Sequence, residues 1–408
     1  MILSEAIRDP VHRLIRLERE DLPLLDGAPV QRLRSISQLG LTDRVYPGAR
    51  HSRFEHALGT LEVATMLLEE MRARLGLDAL LGPLGLPESE DNWDQLVRMA
   101  RLVALLHDIG HAPFSHVSEG LLPSGGHEQM TLALLEHPAV ADHLRQRGDA
   151  ICDAVMRILD PTDLDLPPHL RFVRSLVCGR FGADRMDYLL RDSHCLGVQY
   201  GCFDLPRILH TLTPVETTDG VRLGIERGGV LAAEGLQWAR FSMFTQVYFH
   251  HTRRILDRHL INFLRVVIPE GRYPQQPEEY LHWDDHRVLG LLQQARRDTT
   301  APGHLDACRI LDRKQHRAVG DIVEGSDVED VTRRLTERCK ELLLGDPDLD
   351  PIIDVVEPPP DLDAGAALPV LLENQQVRSL GEISALVGRL RVKPYGRIYC
   401  SRVTQPSG

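Results

Sequence analysis

The 408-residue sequence has no apolar run near the roughly 20 residues that a helical membrane span needs, so no membrane association is expected. Aromatic residues are scarce, at 5%, while 43% hydrophobic and 26% charged residues give the balance of an ordinary soluble protein. The seven cysteines are scattered singly and form no C-x-x-C pair, and the start MILSEAIRDP has neither the basic segment nor the apolar segment of a secretory leader. Together these point to a reduced, cytoplasmic protein. A surplus of positive charge is lacking too: 47 Lys and Arg against 59 Asp and Glu leave a net charge of −12. General nucleic-acid binding is therefore not expected, because phosphate backbones are held by clustered cations. An anionic substrate must meet a local basic pocket.

The length suits one large domain and a smaller lobe. From Arg53 to Leu75, Leu61, Ala64, Leu68, Met71 and Leu75 recur at steps of three and four, which predicts a helix with His56 in its first turn. After a Gly- and Pro-rich loop, Asn92 with Gln95 three residues on offers a cap for a second helix running through Val97 to Leu106 and ending at His107-Asp108. Glu128 to Glu136, Met186 to Leu190 and Leu236 to Val267 also carry helical spacing, so the fold class is mainly α. The exception is residues 212–226, where β-branched residues flank Asp219-Gly220 and predict a small β-hairpin. At IPEGRYPQQPEEY the composition turns polar and Pro-rich, which places a boundary near 270 between a domain of residues 1–270 and a C-terminal lobe of 271–408. The acidic, Pro-rich segment 346–365 within that lobe reads as a linker or a surface arm.

The run LLHDIGHAPFSHVSEG holds three histidines, an aspartate and a glutamate directly after an apolar helix. A His and an adjacent Asp at a helix end, in a turn loosened by Gly110, can face one cation, and imidazole with carboxylate suits Mn, Fe, Zn or Co better than Ca. An isolated His-Asp pair is a weak signal. Its company strengthens it: His56 lies upstream in HSRFEHALG and Asp184 downstream in GADRMDYLLRDSH, each beside an arginine.

This spacing resembles the H…HD…D signature of the HD superfamily, and more closely its deoxynucleoside triphosphate triphosphohydrolase branch, with bacterial and animal members. The likeness runs from about Asp9 to about Arg254 through RDPVH, QRLRSISQLG, YPGARHSRFEHALG, LLHDIGHAPFSH, HEQM, GADRMDYLLRDS and VYFHHTRR. It implies an HD-domain helical fold, a divalent metal cofactor (Mn, Fe, Mg, Zn or Co), a deoxynucleoside triphosphate substrate and a homo-oligomer, dimer or tetramer. It also implies His56, His107, Asp108 and Asp184 as metal ligands, an open set that leaves room for water and a phosphate oxygen. His111, His116, Glu119 and His127 are acid–base candidates, since histidine exchanges protons near pH 7 and a carboxylate can fix its tautomer. Which of them protonates the 5′-oxygen stays open. Family members often carry aspartate at the position of Glu119.

For the substrate, the resemblance implies Arg53 and Arg253 near the phosphates, with Arg185 assisting in place of a lysine. Tyr188 and Asp192, one and two turns beyond Asp184, share its helix face and together with Gln38 match positions that meet the sugar. A regulatory nucleotide is implied by Asp26, Gln31 and Arg34, which match guanine-binding positions of an activating site, and by Arg207, which matches a phosphate contact. Against it, Glu5 replaces a lysine, and Glu226 and Gly228 stand where an arginine and a lysine would be. The expected reaction converts a deoxynucleoside triphosphate and water to deoxynucleoside and inorganic triphosphate. The alternatives are a phosphodiesterase or nuclease of the same superfamily and a nucleotide sensor that binds without turnover.

Overall fold

A long helix, Arg53–Leu75, forms the axis of the fold. It starts where Ser52 and Glu55 make a reciprocal capping box and stops at Gly76, whose φ of 79° a side chain would oppose. The expected stripe is buried at Leu61, Ala64, Leu68 and Met71, but so are Leu58, Val63 and Leu67 on other faces, because neighbours surround this helix. The helices Glu90–Leu106 and Ala183–Leu196 pack on it from two sides. In this computed structural model, residues 3–123, 126–218, 220–358 and 367–402 are described. The fold is mainly α, and no helix among the described residues is long and apolar enough to cross a membrane.

Two helix boundaries differ from the sequence expectation. The second helix begins at Glu90, capped by Ser89, whose hydroxyl accepts from the Asn92 amide at 3.1 Å; the Asn92 side chain instead donates to the Pro87 carbonyl. The expected helix from Leu236 to Val267 is two helices, Val230–Met243 and His251–Val267, separated by a wide π turn at Phe244–Tyr248. His250 breaks the run because its ring accepts from the Thr252 amide at 3.2 Å and caps the second helix.

The hairpin of Leu212–Thr217 and Gly220–Glu226 is present, with Asp219 of its expected turn outside the described residues. It is the first half of a four-stranded sheet continued by Pro369–Leu371 and Val377–Ser379. Two further sheets carried no recognised sequence signal: the N-terminal hairpin Leu3–Asp9 with Arg13–Glu18, and an antiparallel sheet in the order Arg317–Glu324, Tyr395–Arg402, Leu349–Val356.

The last of these strands corrects the reading of 346–365 as linker or arm. Leu349–Val356 is paired along its length, and the charge at Asp354 is buried against Arg254 at 2.7 Å; residues 359–365 lie outside the described residues. The main apolar core continues past residue 270 through Tyr273, Tyr280, Trp283, Val288 and Leu292, and takes in Leu368 and Leu380. A second, small cluster of Val323, Val331, Leu335, Ile398 and Cys400 joins the three-stranded sheet to the helix Val328–Gly345.

Candidate active site

Four side chains from three helices converge at the N-terminal end of the axis helix. His56 projects from the first turn of Arg53–Leu75, His107 and Asp108 follow the end of Glu90–Leu106, and Asp184 stands in the first turn of Ala183–Leu196. His56 Nε2 is 3.1 Å from Asp184 Oδ1 and 3.6 Å from Asp108 Oδ2, while His107 Nε2 is 3.4 Å from Asp108 Oδ1 and 3.8 Å from Asp184 Oδ1. His56, His107 and Asp108 alone bring three donor atoms within 4.8 Å of one another.

These residues fit a divalent cation. With metal–ligand bonds of about 2.1 Å, neighbouring ligand atoms of a tetrahedral or octahedral shell stand about 3.0–3.4 Å apart, close to the spacings here. His107 Nδ1 donates to the Ala104 carbonyl at 2.8 Å, and its Nε2 is buried with no hydrogen-bond partner among the described residues. A buried, unpartnered ring nitrogen facing two carboxylates is costly unless something electrophilic meets it. His56 Nδ1 is held by Asp187 Oδ2 at 2.8 Å, which likewise directs Nε2 at the cluster.

The electrostatics agree. Burial depresses the His56 imidazole, but hydrogen bonds to Asp184 and Asp187 and the charges of Asp187 and Asp108 overcome it and push its pKa up to about 10. His107 is raised in the same way, against burial, by Asp108 and Asp184. Burial pushes Asp108 upward, yet Arg53, His107 and His111 hold it well below the carboxylate range. Asp108 and Asp184 thus favour positive charge between them, which a cation can supply in place of imidazole protons.

Beside this cluster stand the acid–base candidates. The His111 and His127 rings stack at 3.9 Å, and His116 meets His111 edge-on at 4.9 Å. Glu119 joins two of the rings, accepting from His116 Nδ1 at 2.8 Å and from His127 Nδ1. Burial lowers His127, but its bond to Glu119 outweighs this and raises it above the ordinary histidine range. His111 moves the other way: burial first, then the charges of Arg53 and His127, press it well below that range against the pull of Asp108. Gly110 allows this grouping, because a Cβ there would meet the His127 carbonyl oxygen and the Thr131 amide nitrogen, each at 2.3 Å.

A cavity of about 800 Å³ opens over the cluster, lined among others by His107, Asp108, His111, His116, His127 and Asp184. Of the expected substrate residues, Gln38, Arg53, Tyr188, Asp192 and Arg253 line it. Arg53 is buried and donates to Asp108 Oδ2 at 2.5 Å and Ser115 Oγ at 2.7 Å. Asp192 is fixed by His51 Nε2 at 2.8 Å and the Tyr248 hydroxyl at 2.5 Å. Gln38 Oε1 is buried without a hydrogen-bond partner among the described residues. Arg253 donates to the Tyr248 carbonyl at 2.5 Å. Arg185 and Glu119 are not among the lining residues, and Arg185 donates to the Arg180 carbonyl at 3.4 Å. One residue on from Asp184, Arg185 is turned about 100° around the helix, whereas Tyr188 and Asp192 return to the cavity face.

The expected regulatory residues are not drawn around a common space. Arg34 donates to Gln31 Oε1 at 2.8 Å and lies 3.6 Å over the Phe54 ring, while Gln31 donates to the Leu25 carbonyl. Asp26 is exposed at the end of a short helix, and Arg207 donates to the Gly228 carbonyl at 2.8 Å. Glu226 is paired with Arg74. Sequence reasoning overlooked Asp187, His51 and Tyr248, although each lies inside a motif block already singled out; Tyr248 lines the cavity, and so does Arg254, which the sequence pattern assigns to a helix surface or core.

The chain is matched by the HD domain over residues 53–176 and by the HD associated region over residues 203–396, so it is an HD-domain protein. It is similar to an uncharacterised protein of Methanocaldococcus jannaschii, 36% identical over 253 residues, covering 62% of this chain and 48% of that protein. It is also similar to the human deoxynucleoside triphosphate triphosphohydrolase SAMHD1, 27% identical over 281 residues, covering 62% of this chain and 43% of that protein. The chain spans about half the length of the curated relatives it matches. Among solved structures, a hypothetical protein from Aquifex aeolicus shares the fold with a TM-score of 0.75 and 27% identity, over 97% of this chain and 96% of that one. A phosphohydrolase from Bacteroides thetaiotaomicron does so with a TM-score of 0.74 and 22% identity, over 98% and 99%.

Proposed function

We propose that this protein is a metal-dependent hydrolase of deoxynucleoside triphosphates that yields deoxynucleoside and inorganic triphosphate. The observation that carries the reading is the meeting of His56, His107, Asp108 and Asp184 beneath a cavity whose wall presents Arg53, Gln38, Tyr188 and Asp192. The similarity to SAMHD1 supports the choice of substrate.

In this reading His56, His107, Asp108 and Asp184 hold a divalent cation, which supplies Lewis acidity toward a phosphate oxygen and a more acidic water. Arg53, fixed by Asp108 and Ser115, turns its remaining N–H groups to the phosphates and neutralises charge that develops as the ester bond breaks. Asp192, held by His51 and Tyr248, accepts from the sugar hydroxyl, with Gln38 and Tyr188 beside it. Water adds to the α-phosphorus, the bond from phosphorus to the 5′-oxygen breaks, and the departing oxygen takes a proton. Glu119 fixes the Nδ1 of both His116 and His127, and His127 is the better placed donor because its side chain is 17% exposed, against 63% for His116.

The test is product analysis of Mn-loaded protein with each deoxynucleoside triphosphate, singly and in mixtures. Inorganic triphosphate with free deoxynucleoside is the expected result. Pyrophosphate or orthophosphate with a nucleotide would point to another phosphoester reaction, and binding without turnover to a sensor.

A further inference from the structure

The RDPVH block near the start of the chain has no part in the chemistry described so far. In the structure it ends the first strand and forms the turn of the N-terminal hairpin, whose strands are Leu3–Asp9 and Arg13–Glu18. Asp9 shapes this turn, its Oδ1 accepting from the Val11 amide at 2.9 Å and the His12 amide at 2.7 Å. The turn places His12 Nε2 at 2.6 Å from Asp187 Oδ1, with the His12 side chain 3% and the Asp187 side chain 0% exposed. The other oxygen of Asp187 accepts from His56 Nδ1 at 2.8 Å. Arg191 donates to both oxygens at 2.9 Å and to Asp9 Oδ2 at 2.7 Å, linking the turn and the carboxylate a second time. Gly59 leaves the space for this pair: a Cβ there would lie 1.8 Å from Asp187 Oδ1 and 2.3 Å from an Arg191 nitrogen.

We propose that His12 and Asp187 are positioning residues for the metal centre, and that the hairpin turn at residues 9–12 sets the metal affinity by holding the carboxylate that orients His56. The proposal rests on the reading of His56 as a metal ligand. The physical reason is general: a ligating imidazole presents one nitrogen well when the other is donated to a fixed carboxylate, which sets both tautomer and ring plane and makes the ligand more basic. With its burial complete, Asp187 keeps one orientation only while all its acceptor sites are filled, and His12 fills one from an element outside the segment matched by the HD domain.

The experiment compares His12→Ala, His12→Gln, Asp187→Asn and Ile15→Ala with the parent chain, each stripped of metal and titrated with Mn²⁺ by calorimetry. Folding is followed by circular dichroism. Ile15 is fully buried in the same hairpin and touches the relay through no hydrogen bond, so it reports the cost of loosening the hairpin alone. His12→Ala and Asp187→Asn are expected to weaken Mn²⁺ binding about 10- to 100-fold. His12→Gln keeps a donor at the same reach and should restore most of it, and Ile15→Ala should lower thermal stability without changing affinity. If His12→Ala binds Mn²⁺ as tightly as the parent, or if Ile15→Ala weakens binding equally, the proposal is overturned while the metal reading stands. If the parent itself takes up no divalent ion, the metal reading and the proposal fall together.

Discussion

The floor of the cavity and the Asp26–Arg34 patch are both rich in charge, yet they differ in what their polar atoms touch. His107 Nε2 at the floor and Gln38 Oε1 in the wall are buried with no hydrogen-bond partner among the described residues, and the ligand atoms stand 3.1 to 3.8 Å apart. In the patch, Arg34 is taken up by Gln31 and Phe54, and Gln31 by Leu25. Arg207, further along the chain, is taken up by the Gly228 carbonyl. Folding ordinarily satisfies polar groups with the chain's own atoms, because burying an unpaired one costs about 1–3 kcal/mol. A place that leaves such groups open is prepared for something outside the chain; a place where they are closed must first break its own bonds to bind.

The contrast is most exposed at the floor. A His107→Ala, Asp108→Ala double variant should stay folded by circular dichroism and show no turnover in the triphosphate assay, and chelation of the parent should do the same. Removing the metal should also lower stability, since saturation at 100 times Kd contributes about 2.7 kcal/mol, visible as a fall in Tm on adding chelator. Arg53→Ala should reduce kcat by about 10²–10³-fold, because a cation at the developing charge is lost; an unchanged kcat with a raised KM would make Arg53 a binding residue only.

A smaller effect is expected at Glu119→Gln. The donor reading needs His127 protonated, and its raised pKa keeps it so above the ordinary histidine range, with activity falling as pH rises through that value. Removing the carboxylate should move the alkaline limb of kcat to lower pH, with a smaller loss than the roughly 10²–10⁴ of a lost general acid. A limb that stays in place would assign the proton to another group. The smallest change is expected at the regulatory candidates: Arg34→Ala and Arg207→Ala should alter single-substrate turnover by less than about twofold, as exposed side chains usually do. Loss of an activation seen only with nucleotide mixtures would show that the patch opens on binding.

Much of the site was legible because its residues lie in helices and in the turns that follow them. Periodicity put His56 in the first turn of a helix and put Tyr188 and Asp192 on the face of Asp184, and all line or underlie the cavity as that register requires. Arg185 shows the limit of reading by adjacency, since one step along a helix leaves the face. Asp187 was overlooked because it faces away from the cavity toward His12, 175 residues distant, and no local pattern announces such a partner. The strand Leu349–Val356 was missed for a similar reason: Asp350 and Asp354 made it look solvated, but Arg309 and Arg254 pair with them across the fold. The wide turn at Phe244–Tyr248 left no mark in apolar spacing, although it delivers Tyr248 to Asp192.

Gly110 carries a consequence for how this centre can vary. It sits between the turn that bears His107 and Asp108 and the helix that bears His127, at a separation no methyl group fits. The gap between the cation-facing half and the proton-handling half is therefore set by contact of bare backbone, the least compressible spacer a chain possesses. A lineage or a designer seeking a roomier cleft would find this seam closed, and would have to reshape other parts of the lining, such as Phe249 and Ile261.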